Sequence, residues 1–140
     1  MGTVELLDHT ADVGLRVHAD RLDDLFETAA RGVFAYIVAN PEEIVASQHE
    51  SVALRADSPA ELLAAWLNDL IFRSETRRRV YGSFRAEVAA DGLVLHARIG
   101  GEAIDRDRHH LDHEVKAVTY HGLSLEREGD GWLAEFLLDI

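Results

Sequence analysis

The chain has no cysteine, which excludes disulfides, thiolate metal sites and cysteine nucleophiles and matches a reducing cytosol. It contains only 2 prolines and 1 methionine, and no apolar run reaches the length needed to span a bilayer. The amino terminus lacks the basic-then-apolar order of a signal peptide, so the expected location is cytoplasmic, with no membrane partner. Positive charge is also scarce: 14 Lys and Arg stand against 26 Asp and Glu, a formal net charge of -12. Such a field repels phosphate backbones and offers no counterion-release gain, so autonomous nucleic-acid binding is not expected. An acidic surface suits docking on a basic protein and also simply keeps the chain soluble.

Lysine is the scarcest charge. Lys116 is the one lysine, and every other basic residue is arginine. A compact, strongly hydrated ammonium on a flexible stem differs from a planar guanidinium, so a chain that uses arginine elsewhere points to a site that wants the former. Absent too are a Walker-type glycine loop and a Gly-x-Ser-x-Gly nucleophile turn, leaving nucleotide hydrolysis and serine-type acyl transfer without apparatus.

At 140 residues, 47% of them hydrophobic, residues 1–140 are expected to form a single domain able to bury most of its apolar surface. Val13, Leu15, Val17 and Ala19 alternate with Gly14, Arg16 and His18, the pattern of a strand with one wet face. Asp20 stands where a helix N-cap belongs, and Leu22, Leu25, Phe26, Ala29, Val33, Phe34 and Ile37 recur at helical spacing up to Asn40-Pro41. A strand is expected around Val52 to Arg55. Ser58-Pro59-Ala60-Glu61 reads as a capping box opening a second amphipathic helix, with Leu62, Leu63, Trp66, Leu67, Leu70 and Ile71 as its buried stripe. Phe84 to Val88 and Leu93 to Ile99 flank Asp91-Gly92, which predicts a two-residue primed turn. A last hairpin runs from about Glu114 to Glu126 and from Trp132 to Asp139. The class is α+β, with mainly antiparallel sheets packed against two amphipathic helices.

The segment Asp8-His9-Thr10-Ala11-Asp12-Val13-Gly14 sets carboxylates and an imidazole at the mouth of a strand. By residue type alone, Asp12 is read first as a turn or loop cap and Asp139 as a frayed, solvated strand end. A lone strand lysine such as Lys116 is ordinarily a solvated or edge-protecting residue. His9, with Asp8, suits orienting the loop, contacting a cation or simple packing. Arg108-His109-His110-Leu111-Asp112-His113 is rich in metal-ligating side chains, but its spacing matches no zinc motif, and a polar loop is the expected reading. Arg77-Arg78-Arg79 reads as a solvated run beside a helix end.

Taken together, Asp8 to Gly14, Trp66-Leu67-Asn68, Glu114-Val115-Lys116-Ala117-Val118-Thr119-Tyr120-His121 and the terminal Asp139-Ile140 resemble the archease family, accessory proteins of the tRNA-splicing RNA ligase RtcB. The resemblance runs from end to end. It implies an archease-like α+β fold and a non-enzymatic role, promoting GTP-dependent guanylylation and multiple turnover of an RtcB-type ligase in tRNA splicing or RNA repair. It implies no catalytic residue. Asp12, Asp139 and an oxygen of Ile140 would hold a divalent cation, and oxygen-only ligands favour calcium, or magnesium, over zinc. Asp12, Lys116 and Asp139 would form the activating tip, with Asp8 and His9 in support. The competing expectations are a metal-dependent hydrolase using the Asp12/Asp139 pair to activate water and an acidic binding module braced by its cation.

Overall fold

The computed structural model describes residues 2–8 and 12–140, residue 8 by its backbone alone. Strand β1 (Thr3–Asp8) and strand β2 (Asp12–Ala19) form an antiparallel pair. Helix α1 (Leu22–Ile37), strand β3 (Gln48–Arg55) and helix α2 (Pro59–Arg77) follow, and then strands β4 (Arg79–Val88), β5 (Val94–Ala103), β6 (Ala117–Glu128) and β7 (Gly131–Asp139). They make a four-stranded sheet in the order β1-β2-β7-β6 and a three-stranded sheet in the order β3-β5-β4. Every strand pair is antiparallel, so the α+β expectation holds.

Alternation in β2 does what the sequence predicts: Leu15, Val17 and Ala19 are buried and His18 is half-exposed. α1 and α2 each touch strands of both sheets, which explains why their buried arcs are wide. Both contribute to one continuous apolar cluster that includes Phe26, Phe34, Trp66, Leu70, Ile99 and Phe136. The Trp66 indole N–H donates to the Phe26 carbonyl at 2.9 Å, so this large side chain fills the core without stranding its polar atom.

Several local expectations require correction. Arg21, not Asp20, is the N-cap of α1, and no side chain caps it. Asp23 turns instead to the Val88 N–H, which donates to its Oδ1 at 2.7 Å and ties the first turn to β4. The β4–β5 connection spans residues 89–93, rather than a two-residue primed turn. A primed turn of that kind needs positive φ at both central residues, and here Gly92 has it (φ 74°) while Asp91 does not. β3 begins at Gln48, earlier than expected. β6 begins at Ala117, not Glu114, leaving Lys116 just ahead of the strand. Its alternation is broken as well: Thr119 lies opposite Leu137 and Ser124 opposite Glu135, so residues 120–123 fall outside the ladder, with Tyr120 64% exposed and Leu123 packed against the core.

At Ser58 the expectation stands. Its hydroxyl accepts from the Glu61 N–H at 3.1 Å, and Pro59 opens α2, whose first turn has no use for the missing proline N–H.

Candidate functional site

Three segments from opposite ends of the chain meet at one end of the four-stranded sheet. Asp12, the first residue of β2, lies directly across from Asp139, the last residue of β7. On the other side of β7, Asp139 pairs with Ala117, and its carbonyl accepts the Lys116 N–H at 2.8 Å. Asp12 is half-buried, whereas Lys116 and Asp139 are exposed. Directly opposed residues of an antiparallel pair share a face, so two carboxylates sit side by side on the outer face of the sheet. Ile140, 43% exposed, follows directly. Asp8 closes β1 opposite Val13, which brings its backbone to the same end. The Asp8 side chain and His9 lie outside the described residues.

The tip is tied to the core from one side by α2. Asn68 Oδ1 accepts the Val118 N–H at 2.8 Å, and Asn68 Nδ2 donates to the Val118 carbonyl at 3.1 Å. β6 is the outer strand of its sheet, so this amide satisfies backbone groups that an edge strand would otherwise leave to water.

A model of the Archease protein family matches residues 5–140. The chain belongs to the archease family. It is 37% identical to protein archease of Methanopyrus kandleri over 97% of this chain and 98% of that one. It is 33% identical to protein archease of Pyrococcus furiosus, covering 97% of both chains. A Methanobacterium thermoautotrophicum protein solved in solution superposes with a TM-score of 0.80 at 28% identity, over 98% of each chain. A Thermotoga maritima crystal structure, described as an archease and possible chaperone, shares the fold at a TM-score of 0.67 and 19% identity, over 96% of this chain and 94% of that one.

Within this archease fold, the histidine-bearing segment is an organised loop. His109 is buried; its Nδ1 accepts the Asp105 N–H at 2.9 Å, and its Nε2 lies 3.0 Å from Glu102 Oε2. Arg108 grips the same carboxylate with both arms, at 2.6 and 3.1 Å. The Arg108 hydrogen bond, helped by the Val45 N–H and His109, outweighs burial and holds Glu102 at a pKa of about 2. His113 stacks on Tyr36 with ring centroids 4.1 Å apart. These histidines therefore serve the loop separately. Among the described residues no group of three His, Cys, Asp or Glu side chains is placed to hold a metal.

Arg77 and Arg78 are exposed, as expected of a solvated run, but the run also makes specific ion pairs. Arg77 and Arg79 both pair with Glu50 of β3, as does Arg73 at 3.1 Å. The Tyr81 hydroxyl donates to the same carboxylate at 2.5 Å. Burial pushes the Glu50 carboxyl up, but Tyr81, Arg79 and Arg73 together hold it below the ordinary carboxylate range. Burial and the adjacent Glu50 push the Tyr81 phenol well above its ordinary value. Arg78 between them has φ 53° and caps α2 in the left-handed conformation. No motif linked Glu50 to these arginines in advance. The available signal was a lone carboxylate amid the alternating residues of β3.

Proposed function

We propose that this archease-family chain is a non-enzymatic, cytoplasmic activator of an RtcB-type RNA ligase, promoting its GTP-dependent guanylylation and multiple turnover in tRNA splicing or RNA repair. The observation that supports the reading is the meeting of Asp12, Asp139 and the Lys116 backbone at one sheet end. Covalent chemistry would belong to the ligase. An accessory protein needs only to bind the guanylylation-competent state more tightly than its alternative, which shifts the population toward it without making a bond.

The donor set at the tip suits a hard cation. Two carboxylates opposed on adjacent strands, to which the family resemblance adds an oxygen of Ile140, would be all-oxygen ligands, and Asp12 and Asp139 have no ion-pair partner among the described residues. These residues would hold calcium, or else magnesium. When bound, the cation supplies a fixed positive charge for an acidic or phosphate group of the partner. Lys116 adds a mobile ammonium on the same end, able to reach such a group from a flexible stem.

The test is multiple-turnover RNA joining by the cognate ligase with and without this protein, alongside the protein alone on phosphoester substrates. Faster ligase turnover with no hydrolysis by the isolated protein supports the activator. Phosphoester cleavage that depends on Asp12 and Asp139 would replace it with the hydrolase.

A further inference from the structure

Asn68 is misplaced by every local rule. It stands inside α2 between Leu67 and Leu70, both buried, where asparagine has poor helix propensity and an amide needs partners. Its neighbours on the same helix face the core. Its own side chain reaches β6 and takes both polar groups of a single residue, with Val118 N–H to Oδ1 at 2.8 Å and Nδ2 to Val118 O at 3.1 Å.

This two-point grip is well placed. Val118 lies opposite Leu138, and the flanking residues on either strand are Ala117 and Asp139, which oppose each other. Lys116 precedes the strand, is exposed, and is held to the sheet by its N–H bond to Asp139. Just beyond Thr119 the β6–β7 register breaks into the bulge. The regular piece of β6 next to the tip is therefore only Ala117 to Thr119, and β7 supports one side of it. The other side is the sheet's outer edge, and Asn68 meets it there.

We infer that Asn68 is a positioning residue for the tip: its amide locks the start of β6 against α2 and thereby fixes where Lys116 stands relative to Asp139. The inference rests on the activator reading for its functional consequence, but its structural half stands independently. An alanine at 68 leaves both Val118 groups without a protein partner. Asn68→Asp is the sharper variant, because it keeps the shape and the acceptor for the Val118 N–H. It replaces the donor with an oxygen facing the Val118 carbonyl, so one bond becomes a repulsion.

The single lysine of this chain makes the test direct. Lysine-selective isotope labelling gives one backbone amide and one ε-methylene signal, both from Lys116. In Asn68→Asp and Asn68→Ala, the Lys116 ε signal should move, and the Lys116 and Val118 amides should exchange with solvent at least tenfold faster. Amides of Leu70 and Phe136 in the core should keep their protection. Stimulation of ligase guanylylation should fall on the order of ten- to a hundredfold, as expected when a functional group is displaced by about an ångström. Unchanged Lys116 signals and exchange would overturn the inference, as would full stimulation by a variant whose Lys116 signals have moved. If the wild-type protein does not stimulate the ligase at all, the activator reading fails, and the labelling and exchange measurements still decide whether Asn68 sets the Lys116 geometry.

Discussion

Asp12 and Asp139, near opposite ends of the chain, stand directly opposite each other across β2 and β7. Like charges in that relation destabilise an antiparallel pair by up to about 1 kcal/mol. The arrangement therefore works against the fold unless a cation relieves it. Asp12→Asn should raise the cation-free stability by a few tenths of a kcal/mol, roughly the scale of such cross-strand pairs. Calcium should raise the melting temperature of the wild-type protein, because a ligand that binds only the folded state stabilises it. In Asp12→Asn and Asp139→Ala that rise should vanish. Calorimetry showing undiminished calcium binding in both variants would reject the site, and tight zinc binding dependent on His109, His110 and His113 would relocate it.

Glu50 is expected to be the most damaging single carboxylate to remove outside the tip. It is 9% exposed and pairs with Arg73, Arg77 and Arg79 while accepting from Tyr81. Breaking a buried ion pair from one side typically costs about 3 kcal/mol. Glu50→Ala should lower the urea midpoint accordingly, whereas Glu50→Gln, which still accepts hydrogen bonds, should lose less. Equal midpoints for wild type and Glu50→Ala would show that the cluster contributes nothing to stability.

Acid sensitivity should carry the mark of Glu102. Its carboxyl titrates at about 2 in the folded chain against an ordinary value of 4.5. A depressed carboxylate contributes stability that is whole above its unfolded value and drains away as the pH falls through its folded one. Stability should thus decline between about pH 4.5 and pH 2, and Glu102→Gln should flatten that part of the curve. Urea titrations at stepped pH measure both; an unaltered slope in the variant would contradict the assignment.

The isolated protein should not shift tRNA at physiological salt. Its net charge of -12 opposes phosphate backbones, and no basic surface interleaved with aromatic platforms is evident in the sequence. A salt-dependent mobility shift by the protein alone would refute this.

The parts of the fold legible in the sequence were those governed by periodicity and by local chemistry. The stripes of α1 and α2, the inward alternation of β2 and the Ser58 cap all follow from side chains a few residues apart. What escaped was non-local. β1 borders its sheet, and its Val4 and Leu6 remain substantially exposed, so it lacks a clean apolar alternation. The true start of β6 depends on Asn68, 50 positions earlier, and its bulge on the register with β7. At the tip, residue types alone left Asp12 and Asp139 as an ordinary turn residue and an ordinary strand end. Only the pairing of β2 with β7 makes them neighbours. Glu50 was invisible for the same reason, since its partners come from α2 and β4, whereas Glu102 draws Arg108 and His109 from the loop just after its strand, whose turn no motif announces.

The decisive measurement is guanylylation of the cognate RtcB-type ligase with GTP, at limiting ligase, in the presence of wild-type protein, Lys116→Ala or Lys116→Arg. Lys116 is exposed and ahead of its strand, so both variants should melt within a few degrees of wild type, as surface substitutions generally do. Wild type should stimulate strongly, Lys116→Ala not at all, and Lys116→Arg clearly less than wild type, because it keeps the charge but changes its shape and donor directions. Full stimulation by a well-folded Lys116→Ala protein, or none by wild type, would contradict the activator role.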